Sequence, residues 1–145
     1  MSAKDLKALW RHFAEEGNKR KTAAMAVIDE TCASNIVFHN GAGRDTGGIK
    51  DFKQYMSEFY DAFPDGHMTI DDMIVEGDKV AIRYTLTGTH NGKYMGIPPT
   101  SKKVTAWVVE IDRIVGGQFA ECWVRFDTLG MMQQLGLAPT PRKGR

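Results

Sequence analysis

The segment HMTIDDMIVEGDKVAIRYTLTGTH, residues 67–90, decides the fold. Val80, Ile82, Tyr84 and Leu86 alternate with Arg83, Thr85, Thr87 and Thr89, the period of two that a strand imposes because successive side chains point to opposite faces. Gly77-Asp78 supplies a tight turn in the middle, so the segment reads as an antiparallel hairpin. Downstream, KKVTAWVVEIDRI (102–114) and QFAECWVRFD (118–127) repeat the pattern around Val115-Gly116-Gly117, a second hairpin connection. The stretch between the hairpins, NGKYMGIPPTS (91–101), is rich in Gly and Pro and reads as a loop.

Upstream of residue 65 the period is helical. Leu6, Leu9, Trp10 and Phe13 form one stripe, Ala24, Val27, Ile28 and Cys32 a second, and Ile49, Phe52, Tyr55, Met56, Phe59 and Phe63 a third that stops at Pro64. A short apolar run, NIVFHNG (35–41), separates the second and third, and TLGMMQQLG (128–136) reads as a terminal helical turn or two. Helices first and a meander of strands afterwards predict an α+β domain, with the N-terminal helices packed in the concave face of a curved antiparallel sheet. Such a cone has an interior. One domain over residues 1–137 accounts for the chain, and 138–145 reads as a flexible tail.

Composition narrows the function. The chain has 145 residues and a formal charge of +1, which leaves no electrostatic footprint for nucleic acid or an anionic membrane. Cys32 and Cys122 lie far apart, outside CxxC or His-paired spacing, and read as reduced core thiols. No metal-ligand cluster and no GxGxxG loop is present, so neither a metal nor an organic cofactor is expected. Without an apolar run of about 20 residues or a signal-peptide h-region, the expected compartment is the cytoplasm.

The second hairpin poses the functional question. Glu121, Trp123, Arg125 and Asp127 share one row of a strand, and Arg83 lies on the polar row of another. Either these rows face water, with Trp123 marking an interface, or they line the cone together with His39 and His90. In a cavity, desolvation would raise a carboxylate toward neutrality. The bland readings stand beside the sharp ones. Asp127 suits the N-cap of the last helix, Glu121 and Arg83 suit structural ion pairs, His39 suits the core or a loop and His90 a turn. Tyr55, Met56 and Phe59 belong mainly to the helix core, with pocket contact at one end.

Two motifs carry a resemblance. GTHNGKYMGIPPTSKKV (88–104) and AECWVRFDTLGMMQQLG (120–136) are similar to the GTH-x-G-x-x-x-GIPPTG-x-x-V and E-x-W-x-x-x-D-x-LG-x-x-x-QLG patterns of the SnoaL-like polyketide cyclases, and residues 63–90 resemble the segment before them. The likeness spans roughly residues 20–137. It implies an α+β cone like that of ketosteroid isomerase and scytalone dehydratase. It also implies cofactor-free acid/base catalysis on an apolar, enolisable and polycyclic small molecule, typified by intramolecular aldol closure, in a homodimer or homotetramer. By the same resemblance Asp127 is the acid/base residue and His39 a pocket histidine. Trp123, Tyr55, Phe59, Met56, Arg83, His90, Glu121 and Arg125 are then the surrounding substrate-binding candidates. The chain departs from the pattern at Ser101, Cys122 and Arg125; the last stands on the row of Asp127, where pairing would lower the carboxyl pKa. A non-catalytic binding module on the same cone is the competing reading, and a dimer that simply buries Trp123 is a third.

Overall fold

The computed structural model describes residues 1–40 and 45–141; residues 142–145 of the expected tail lie outside them. In chain order the elements are α1 (Ala3–Gly17), α2 (Lys21–Thr31), β1 (Cys32–Asn40), β2 (Thr46–Gly47), α3 (Ile49–Ala62), β3 (His67–Glu76), β4 (Lys79–Thr89), β5 (Lys103–Val115), β6 (Gln118–Phe126) and α4 (Thr128–Gln134). Ser2 opens α1 with a capping box, its hydroxyl accepting from the Asp5 N–H while the Asp5 carboxylate accepts from the Ser2 N–H. Leu6, Trp10 and Ala14 form the buried stripe of that helix.

The strands make one curved, unclosed six-stranded sheet in the order β2-β1-β6-β5-β4-β3. Both expected hairpins are present, β3 with β4 and β5 with β6, and β4 pairs with β5 along eleven consecutive positions from Lys79↔Arg113 to Thr89↔Lys103. The expected α+β cone is therefore formed. Its sheet is mixed, antiparallel except at one pairing, because the apolar run after α2 is a strand that pairs parallel to β6. Cys32, placed by periodicity on the helical stripe, opens that strand instead. The chain leaves the helix where Thr31 turns its hydroxyl back onto the Val27 carbonyl, and the β-branched Ile36 and Val37 favour the extended form that follows.

Inward-facing residues of the sheet and the buried stripes of the helices form the main core, which includes Trp10, Ile28, Ile36, Phe52, Ile82, Val108 and Phe119. A second cluster, Phe63, Val104, Ala106, Met131 and Leu135, closes the α4 end. Cys32 and Cys122 are buried free thiols. Residues 91–102 cross over one mouth of the cone. Asn91 and Gly92 both donate backbone hydrogen bonds to the Ala62 carbonyl, and a Cβ on Gly92 would collide with the Asp61 carbonyl. Tyr94 and Ile97 then exchange reciprocal backbone hydrogen bonds, at 3.1 and 2.8 Å. No helix of the described residues is long and apolar enough to cross a membrane.

Candidate functional site

The cone encloses a cavity of about 630 Å³, within the range of roughly 300–1,000 Å³ usual for small-molecule sites. Val108, Val124 and Phe126 form its floor on the sheet, Tyr55, Met56 and Phe59 its wall on α3, and Tyr94 and Met95 its roof. The side chains follow from strand parity. On β1 the inward positions are Phe38 and Asn40, so His39 between them points outward.

Few polar atoms of the described residues reach the interior. Asn40 donates its side-chain amide to the Tyr55 hydroxyl, and Tyr94 lines the same cavity. Burial raises the pKa of Tyr55, Tyr84 and Tyr94, so these phenols stay protonated near neutrality and serve as donors. Tyr60, pushed by burial up to about 12, donates to the Gly17 carbonyl at 2.9 Å. Glu58, His67 and Lys93 also line the cavity but are exposed, which places them at its rim.

One further polar group lies behind the floor. Tyr84 lines both the main cavity and a small recess of about 50 Å³ that Glu110 and Cys122 also line. The Tyr84 hydroxyl donates to Glu110 Oε2 at 2.9 Å. Two residues along β5, Asp112 accepts from the Trp10 indole N–H at 2.6 Å.

Of the residues singled out in the sequence, Tyr55, Met56 and Phe59 line the cavity. The others do not. Asp127 is exposed and caps α4, its Oδ1 accepting from the Gly130 N–H at 2.9 Å, so the capping alternative describes its geometry. Arg125 donates to the Val124 carbonyl, and among the described residues no ion pair joins it to Asp127. Arg83 is exposed on the outer face, 3.8 Å from Asp71. His90 is fully buried away from the cavity, against Phe63 and within 3.0 Å of the Thr100 hydroxyl. His39, Glu121 and Trp123 meet on the outer face of the sheet. The imidazole stacks on the indole with centroids 5.5 Å apart, its Nε2 lies 2.8 Å from Glu121, and Arg113 holds the other carboxylate oxygen at 3.3 Å.

Asn40, Tyr84, Tyr94, Glu110 and Asp112 were not singled out, although the sequence carries a signal for the last two. Along β5 they share a row with Val104, Ala106 and Val108, which is the buried row, while Trp107, Val109 and Ile111 take the other. A strand with carboxylates on its buried row departs from ordinary amphipathic partition.

Comparison with known proteins follows the geometry. Residues 7–135 match the family model of the SnoaL-like polyketide cyclases. Among solved structures the chain is similar to AclR, a candidate hydroxylase from Streptomyces galilaeus, with 28% identity, 98% of this chain and 91% of that one covered, and a TM-score of 0.85. It is also similar to IdmH, a candidate polyketide cyclase from Streptomyces antibioticus, with 25% identity, coverage of 92% and 97%, and a TM-score of 0.71. A protein of ketosteroid isomerase-like fold from Catenulispora acidiphila shares the fold at 15% identity, coverage of 97% and 100%, and a TM-score of 0.72. No curated protein matches the chain.

Two predictions follow from the placement of the polar residues. Asp127→Ala removes a helix cap and should destabilise the fold by about 1 kcal/mol in thermal or urea melts, while leaving the affinity of the cavity for an apolar probe unchanged. The hydrogen bond to Glu121 raises the His39 pKa above its ordinary 6.5, and the same bond lowers that of Glu121 below its ordinary 4.5. The stabilisation from protonated His39 is complete below 6.5 and disappears as pH rises through the folded-state value; that from ionised Glu121 is complete above 4.5 and disappears as pH falls through its own. NMR titration of the His39 ring should therefore give a midpoint above 6.5, and Glu121→Gln should bring it down. An unchanged midpoint in the variant would show that the contact is not formed in solution.

Proposed function

Since the chain belongs to the SnoaL-like polyketide cyclase family, we propose that it is a cyclase-type enzyme that performs cofactor-free acid/base chemistry on an apolar, enolisable small molecule held in the cone. The cavity carries this reading. Its interior is apolar, and its inner polar groups are an amide and protonated phenols, a set that binds the carbonyl oxygen of a flat ketone and the negative charge that gathers there when a neighbouring carbon loses its proton. Aldol closure, isomerisation and related steps share that first event. Orientation of a flexible chain against Tyr55, Met56 and Phe59 supplies the rest by fixing which carbon meets which carbonyl.

A second reading has its own observation. Among the described residues, the titratable side chains that line the cavity other than its tyrosines, Glu58, His67 and Lys93, are exposed at its rim. A carrier that holds an apolar ligand without turning it over would look the same there.

Exchange separates the two readings. The probe is 2-tetralone, a bicyclic ketone with enolisable C1 hydrogens, followed by proton NMR in D2O. The enzyme reading expects exchange faster than the buffer background by on the order of 10²-fold, and its suppression when Val124→Trp fills the floor. Saturable binding with background exchange would establish the carrier.

We also propose that a second copy of the chain covers the outer face of β5 and β6. Trp107, at 65% exposure, with Val109, Ile111 and Trp123, forms an apolar row there, and Arg113 and Glu121 beside it offer both charge signs to an identical surface. Light scattering should give a dimer or tetramer for the native chain and a smaller species for Trp107→Glu; a monomeric native chain would rule the interface out.

A further inference from the structure

Glu110 and Asp112 face the core from adjacent inward positions of β5, at 5% and 0% exposure. Two neighbouring carboxylates cannot both hold charge in such a place, because each lacks water and repels the other. The hydrogen bonds settle where the charge resides. Asp112 Oδ2 accepts from the Trp10 indole, whereas Asp112 Oδ1 is enclosed without a conventional donor among the described residues. Glu110 and Asp112 bring a carboxylate oxygen each to within 4.8 Å of the other, so a proton on the neighbouring Glu110 carboxyl is placed to provide that donor. Burial and the Asp112 charge drive the Glu110 pKa far above the usual carboxylate range. Burial raises Asp112 only to about 6, since hydrogen bonds from Glu110, Cys122 and Trp10 favour its ionised form. Near neutrality the pair is Glu110–COOH beside Asp112–COO⁻.

Tyr84 O–H points to Glu110 Oε2, and Glu110 in turn lies beside Asp112. Tyr84 lines the main cavity and commits its O–H to Glu110, which leaves the phenolic oxygen its lone pairs as acceptors.

We propose that Tyr84, Glu110 and Asp112 form a proton relay through which a carboxylate buried in the core serves as general base for a molecule in the cavity. The proposal rests on the acid/base reading above. The C–H bond of the substrate breaks and its electron pair stays as the enolate. That proton bonds to the Tyr84 oxygen, the former phenolic proton passes to Glu110 Oε2, and the proton on the other Glu110 oxygen passes to Asp112 Oδ1. The buried pair goes from one proton and one negative charge to two protons and none, the direction that desolvation favours. After ring closure the reverse sequence returns a proton to the new alkoxide and restores the starting state. Delivery as the first step would leave two adjacent buried anions, so the resting relay is an acceptor. Titratable groups facing the pair are Tyr84 from β4, Cys122 from β6, Cys32 from β1 and Tyr55 from α3. Burial raises the pKa of all four, and the midpoint near 6 belongs to Asp112.

The 2-tetralone exchange assay tests the relay. In the native chain the rate should rise with pH through a midpoint near 6 and level off. Tyr84→Phe, which removes one oxygen and keeps the ring, and Asp112→Asn should each lower the plateau at least about 100-fold when the rate is read at saturating probe, with saturation followed by protein fluorescence. A purely structural pair would move the melting temperature and leave the pH midpoint and the plateau in place. If Asp112→Asn does not fold, Tyr84→Phe alone decides. Exchange that survives Tyr84→Phe overturns the relay and leaves the enzyme reading standing. A native chain that binds 2-tetralone and does not exchange it overturns both.

Discussion

The 2.6 Å hydrogen bond from the Trp10 indole to Asp112 joins residues 102 positions apart and links the first helix to a central strand. A charge that is fully buried must be met, and the group that meets it must be held still. Trp10 is held by edge contacts with Phe13 and Phe119 and by a tilted contact with Tyr84, at centroid distances of 5.4 to 5.8 Å. The helix is thereby fixed in azimuth and depth over the sheet, and Phe13, one turn on from Leu9, reaches the cavity edge. Replacing a buried carboxylate by a hydrocarbon commonly stabilises a protein. A fold that keeps Glu110 and Asp112 in its core is therefore organised around something other than maximal stability.

The legible part of the fold was the part whose polarity follows geometry. The β3–β4 hairpin shows a clean period of two with glycine at its turn, and α1 and α3 show a helical stripe ended by glycine or proline; each has one face in water and one in the core. β1 was missed as a strand because its residues 35–40 give an apolar run too short to distinguish from a helix end, and its parallel pairing with β6 is a long-range event with no local mark. The candidate site suffered from the same parity. The row Glu121, Trp123, Arg125 looks chemical when read alone, yet the opposite row, Cys122 and Val124, is the buried one. His39 and Asn40 differ by one position, and that single step separates the outer face of the sheet from the cavity. On β5 the usual rule runs backwards, with acids inside and Trp107, Val109 and Ile111 outside, so amphipathic reasoning passes over the most strongly perturbed groups in the molecule.

Family membership and the cavity give complementary information. The motif at 120–136 identifies the lineage through residues that cap and pack, since Asp127 secures α4 and Leu135 fills the second core cluster. The cavity is defined by residues outside that motif's outward row, notably Asn40, Tyr55, Tyr84 and Tyr94. Signature and cavity therefore overlap only in part: Val124, Phe126, Tyr94 and Met95 belong to both, whereas Asn40, Tyr55 and Tyr84 line the cavity from outside the motifs.

The crossing segment 91–102 supplies the ceiling of the cavity. It is tied to the end of α3 through the Ala62 carbonyl and to itself through the Tyr94–Ile97 pair, and at its base the His90 N–H donates to the Lys102 carbonyl while the His90 carbonyl accepts from the Ser101 N–H. No side chain of the acid pair depends on it. A change of length or composition in this ceiling would therefore alter the size and polarity of the space beneath it without touching the packing around the two buried acids.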